Sequence, residues 1–204
     1  MTSIRSFIKK LLNREGKITI VSGLPRSGTS MMMSALKAGG LPLLTDGLRE
    51  ADPNNPKGYF EYEPVKKLPK GQTNWLLSAD GKAVKVISAL LSYLPEDFRY
   101  QVIFMERDLD EILASQRRML ERSDKKDTQP IDDAQLRKDY QAHLENVKDW
   151  LRSQDWLSVL FISYNQVLRD PMAAFQKVGA FIEIDLDMEA MARVVDPTLY
   201  REQN

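Results

Sequence analysis

The segment ITIVSGLPRSGTSMMMSAL carries the strongest chemical signal in this chain. A β-branched run ends at Gly23, four residues follow, and Gly28-Thr29-Ser30 opens an apolar helical pattern. Glycines at that spacing let backbone N–H groups turn inward around an anion, and the following helix adds its partial positive charge. This is the strand–loop–helix pattern G-x-x-x-x-G-[KT]-[ST] of phosphate-binding loops. In the triphosphate-hydrolysing version a Lys after the second Gly reaches the β and γ phosphates. Here Thr29 stands there and the cation is Arg26, so the loop suits one phosphate group better than a metal–triphosphate. Gly23, Pro25, Arg26, Ser27, Gly28, Thr29 and Ser30 are the candidate anion-binding residues.

Four further places could do chemistry. Arg107 directly follows the run YQVIFME, and Ser115 comes eight positions later on a helical pattern. A guanidinium fork with a hydroxyl suits a phosphate dianion. Lys85 lies inside the apolar run KAVKVIS, where an ammonium needs a partner that a bound anion would supply. Tyr164, in SYNQVLRDP, is an aromatic at the end of another apolar run. The segment NPKGYFEYE places Glu61 and Glu63 just after a Pro/Gly turn, and Asp46 precedes them in the same turn-rich stretch. The single His, His143, falls on the apolar stripe of a helix and reads as a packing residue.

Elements must position these groups. KITIVSG, KAVKVIS, YQVIFME and LSVLFIS read as buried strands, rich in β-branched or aromatic residues. Helical patterns lie between them, at 29–38, 109–120, 136–151 and 171–182. Strands alternating with helices predict an α/β fold: three layers, α/β/α, around a central, mainly parallel sheet. Residues 1–204 are expected to form one domain, with residues 1–15 as an N-terminal amphipathic helix. Leu41–Gly58 and Glu121–Pro130 are long connections of the kind that build lids and substrate loops.

Composition narrows the chemistry. Without Cys and with one His, thiolate sites, cysteine nucleophiles and multi-imidazole metal sites are excluded. A formal net charge of zero argues against a general nucleic-acid binder. No run approaches the ~20 apolar residues of a membrane span. The N-terminal segment has neither the apolar core nor the cleavage site of a secretory signal, so a cytoplasmic location is expected. Its basic face makes membrane-surface contact the lesser expectation beside packing on the domain.

LPRSGTS resembles the loop of PAPS-dependent sulfotransferases, and the Arg107–Ser115 pair, the Tyr164 segment and Lys85 extend the resemblance over roughly residues 17–182. The resemblance implies transfer of a sulfuryl group from the co-substrate PAPS to a hydroxyl or amine, releasing 3′,5′-ADP, with no metal required. It implies that the loop holds the 5′-phosphosulfate and that Arg107 and Ser115 hold the 3′-phosphate. Tyr164 would lie near the adenine, and Lys85 would assist the bridging oxygen, with Arg26 beside it. The acceptor would be a small molecule or a glycan or lipid. Two departures stand out. Many soluble members carry a His base just after the strand lysine, where this chain has Val86, Ile87 and Ser88. A carboxylate is therefore expected as base, Glu61 first and Asp46 in reserve. The Arg-Lys-Gly segment that closes over the 3′-phosphate in longer members has no counterpart in DPTLYREQN, and Arg117, Arg118, Arg122 or Arg201 would substitute. Two other readings stand beside this one: a P-loop kinase of a nucleoside or small metabolite, which lacks the expected Lys, and a non-catalytic nucleotide-binding domain of the same fold.

Overall fold

The computed structural model describes residues 17–49, 52, 58–121 and 132–196. The expected N-terminal helix and most of the 121–130 connection lie outside the described residues. Four strands form one parallel sheet: β1 (Ile18–Gly23), β2 (Ala83–Lys85), β3 (Tyr100–Glu106) and β4 (Leu157–Ser163), in the order β2-β1-β3-β4. The chain leaves β1 for one side of the sheet and returns on the other. This order reversal opens a crevice at the carboxyl ends of β1 and β3, where open α/β sheets bind ligands. Gly23 pairs in register with Met105, so the loop after β1 and Arg107 after β3 emerge at one level. Lys85 is level with Val21 on the other flank of β1.

Alternation along the buried strands builds two cores. Val21, Ile103, Met105 and Ile162 face one layer, with α1 (Thr29–Ala38), α5 (Pro171–Ile182) and α6 (Met188–Val194). Met32, Met33, Phe175, Val178 and Met191 fill that layer. Ile20, Val84, Val102 and Phe104 face the other, against Leu76, Leu91 and Trp75 and against α3 (Asp133–Ser153) through Val147 and Leu151. The helix α2 (Leu109–Glu121) follows β3 and packs on α3. The result is the expected three-layer α/β/α architecture with a parallel sheet.

Differences concern short elements. β2 stops at Lys85, although KAVKVIS reads as a strand to Ser88. Val86 still donates to Val21 O at 3.0 Å, but Ile87 then caps a 3₁₀ turn over Ser88–Tyr93. Further 3₁₀ turns cover Glu63–Lys70 and Asn74–Ser78. Their three-residue period gives no 3.6-residue apolar stripe to read. Tyr164 opens a six-residue helix, α4 (Tyr164–Arg169), whose N-terminus is capped by Ser163. Among the described residues no helix is long and apolar enough to cross a membrane.

Candidate active site

The loop after β1 needs its glycines. A Cβ on Gly23 (φ 145°) would lie 2.4 Å from Ser27 Oγ and 2.6 Å from Met105 O. One on Gly28 (φ 97°) would lie 2.4 Å from Tyr164 Cδ2. The ring of Tyr164 therefore lies against the loop because position 28 has no side chain. Arg26 itself takes a left-handed backbone conformation (φ 71°), which a non-Gly residue adopts at a cost of roughly 1–2 kcal/mol. Its carbonyl accepts from Arg107 Nη1 at 3.0 Å, which holds that conformation. Ser27 is 1% exposed, and its hydroxyl has no hydrogen-bond partner among the described residues. Such an orphaned polar atom sits inside the turn where an anion would be cradled.

Arg26 Nε donates to Ser115 Oγ at 2.9 Å, across 89 residues of sequence. Arg107 places its guanidinium 4.5 Å from the centre of the Tyr164 ring and donates from Nε to Glu111 Oε2 at 2.8 Å. Four of the sequence candidates, Arg26, Arg107, Ser115 and Tyr164, thus meet in one cluster. Two guanidinium groups, a hydroxyl and an aromatic ring are the components of a site for a phosphorylated nucleoside.

Lys85 stands on the other side of the loop. Its Nζ lies 3.5 Å from Ser30 Oγ and donates to the Tyr59 carbonyl. Burial lowers its pKa to about 8, against an opposing effect from the Glu61 charge. Glu61 and Lys85 therefore share one electrostatic neighbourhood. The Glu61 carboxylate meets Arg49 Nη1 at 2.6 Å and Lys66 Nζ at 3.6 Å. Arg49 in turn lies 3.4 Å over the Tyr59 ring, whose hydroxyl donates to Asp52 at 2.8 Å.

The other candidates have local duties. Asp46 accepts from the backbone N–H groups of Glu63 at 2.5 Å and Leu48 at 3.1 Å. The Glu63 bond holds its carboxyl below the usual range, so Asp46 pins the connection that carries Glu61. Glu63 pairs with Lys66 at 2.7 Å. Arg117 pairs with Asp133 at 3.2 Å, while Arg122 and Arg201 lie outside the described residues. His143 does more than pack: its Nε2 lies 2.8 Å from Ser88 Oγ, and burial pushes its pKa down.

Sequence reasoning passed over Glu111, Asn165 and Arg49. For Glu111 a signal was present, because a carboxylate four residues after an Arg on a helix start is a natural ion-pair partner. Nothing local marks Arg49, whose partner Glu61 follows twelve residues later.

The profile of the sulfotransferase domain matches residues 17–202. A sequence comparison with curated proteins finds no match. Solved structures share the fold at low identity. The sulfotransferase STF1 from Mycobacterium tuberculosis H37Rv superposes with a TM-score of 0.62 at 14% identity, covering 94% of this chain and 73% of that one. The sulfotransferase domain of the Synechococcus PCC 7002 olefin synthase gives 0.56 at 14%, covering 92% and 88%. Mouse sulfotransferase SULT7A1, solved in complex with PAP, gives 0.56 at 17%, covering 92% and 68%. With the domain match spanning all of the described residues, the chain belongs to the sulfotransferase domain family.

Proposed function

We propose that this chain moves a sulfuryl group from PAPS to a hydroxyl or amine acceptor and releases 3′,5′-ADP. The observation that carries the reading is the bond from Arg26 to Ser115, which joins the phosphate loop to the Arg107–Ser115 pair in one site. A nucleotide with phosphates at both ends of its ribose matches that double cluster. In this reading the loop N–H groups hold the 5′-phosphosulfate, Arg107 and Ser115 take the 3′-phosphate, and the adenine lies near Tyr164. The acceptor oxygen attacks sulfur in line, the S–O bond to the 5′-phosphate breaks, and the electron pair leaves on the phosphate oxygen. Lys85, Arg26, Thr29 and Ser30 stabilise that developing charge. The acceptor proton passes to Glu61, whose carboxylate meets Arg49 and whose charge acts on Lys85.

The reading is tested by thermal unfolding with nucleotides. 3′,5′-ADP without Mg²⁺ is expected to raise the midpoint by several degrees at a hundred times its dissociation constant, where binding adds about 2.7 kcal/mol. A shift with ATP–Mg²⁺ and none with 3′,5′-ADP would favour the kinase reading instead. For the base, Glu61→Gln is expected to lower kcat by roughly 100- to 1,000-fold while 3′,5′-ADP affinity changes less than about twofold. Equal loss in both quantities would assign Glu61 to the loop's structure and not to proton transfer.

A further inference from the structure

The Arg107 side chain is held by a second layer that the domain match does not describe. Its side chain is 7% exposed, and that of Glu111 is 16% exposed. Glu111 uses both carboxylate oxygens on different elements. Oε2 accepts from Arg107 Nε at 2.8 Å, and Oε1 accepts from Asn165 Nδ2 at 2.8 Å. Asn165 directly follows Tyr164 on α4, so this one carboxylate joins the end of β3 to the residue beside the aromatic ring. Arg107 Nη1 is engaged separately by the Arg26 carbonyl. The guanidinium is thus fixed along two edges and laid against the Tyr164 ring, which defines its plane.

We infer that Glu111, tethered by Asn165, is the positioning residue that sets the Arg107 fork for the 3′-phosphate, and so sets discrimination between nucleotides with and without that group. A guanidinium recognises phosphate by directed N–H groups, so its plane matters as much as its charge. A carboxylate beside it weakens the positive potential, and such a partner is useful at a binding site only through the order it imposes. That sets Glu111 apart from a bland ion pair, whose removal would alter stability but not ligand preference. The inference rests on the PAPS reading above.

Titration calorimetry with 3′,5′-ADP and 5′-AMP on the full chain tests it. The wild type is expected to prefer 3′,5′-ADP, and Glu111→Ala to cut the ratio of the two affinities by roughly 10- to 30-fold, with 5′-AMP binding changed less than about twofold. Glu111→Gln, whose amide oxygen still accepts from Arg107 Nε, is expected to keep the ratio within about threefold of wild type. Asn165→Ala, which frees only the far end of Glu111, is expected to lower the ratio by about threefold and carries the test if Glu111→Ala does not fold. An unchanged ratio in Glu111→Ala, an equal loss of both ligands, or a ratio unmoved by Asn165→Ala would overturn the positioning role. A wild type that binds both nucleotides equally would overturn the donor reading, and this inference with it.

Discussion

Replacing Lys85 by methionine is expected to lower kcat by roughly 100- to 1,000-fold, because the cation proposed to stand beside the leaving phosphate oxygen is removed while the side-chain volume is kept. The same substitution is expected to make the ligand-free protein more stable at pH 7, by about 1–2 kcal/mol. Burial lowers the Lys85 pKa from 10.5 to about 8. The unfolded chain therefore binds more protons between about 8 and 10.5, and the stability of the wild type rises with pH through that window. Below about 8 the ammonium is charged in both states and its full burial cost is present. Chemical denaturation at pH 7 and pH 10 reads this directly: Lys85→Met should lead at pH 7 and lose its lead at pH 10. Donor binding has the opposite sign. An anion beside Lys85 favours the charged form, so 3′,5′-ADP affinity should fall as pH rises above about 8 in the wild type. Over the same range it should stay flat in Lys85→Met. A wild-type affinity independent of pH up to 10 would remove Lys85 from the donor site.

The second large effect is expected at Arg107. Arg107→Ala removes the directed donors proposed to hold the 3′-phosphate, and charged hydrogen bonds of about 1.5–3 kcal/mol each predict a roughly 100- to 1,000-fold loss of 3′,5′-ADP affinity. It also leaves the Glu111 carboxylate without its guanidinium partner. Breaking a buried pair from one side costs about 3–5 kcal/mol, and the 16% exposure of Glu111 places this case near the lower end. Calorimetric unfolding should show Arg107→Ala less stable than the double variant Arg107→Ala/Glu111→Ala, since the second change removes the carboxylate whose Arg107 partner is gone. Arg107→Lys restores the charge but cannot span Glu111, the Arg26 carbonyl and a phosphate together, so it should recover stability more than affinity. Equal 3′,5′-ADP affinity in wild type and Arg107→Ala would refute the placement of the 3′-phosphate.

The two effects separate because the site has two halves. Lys85 and Glu61 lie on the β2 side of the loop after β1, where loss should appear in the rate as well as, for Lys85, in the pH dependence of donor affinity. Arg107, Ser115 and Glu111 lie on the β3 side, where loss should appear in donor affinity. Arg26 contacts the second half through Ser115 although its own backbone belongs to the loop.

Much of this was legible before any coordinates. Four apolar runs specified four strands because a parallel sheet covered on both faces needs uninterrupted apolar residues, and β3 and β4 begin and end where those runs do. The glycine spacing specified the loop, because only residues without a Cβ fit at positions 23 and 28. Arg107 and Ser115 are marked as a pair by the family resemblance, and the structure bonds Ser115 to Arg26. Other features needed the fold. The short β2, the 3₁₀ turns and α4 leave no periodic trace, since their ends are set by capping and by neighbours from distant sequence. The Arg49–Glu61 pair, the Asn165–Glu111 tether and the Ser88–His143 contact join residues 12 to 55 positions apart. No local rule supplies such partners, because charge and hydrogen-bonding capacity are properties of a residue, while distance is a property of the packed chain. The sequence by itself thus determined the layered sheet, the glycine turn after β1 and the cations around it; the tertiary structure alone decided that Arg26 turns toward Ser115, that burial brings the Lys85 pKa down to about 8, and that Glu111 holds Arg107 in place.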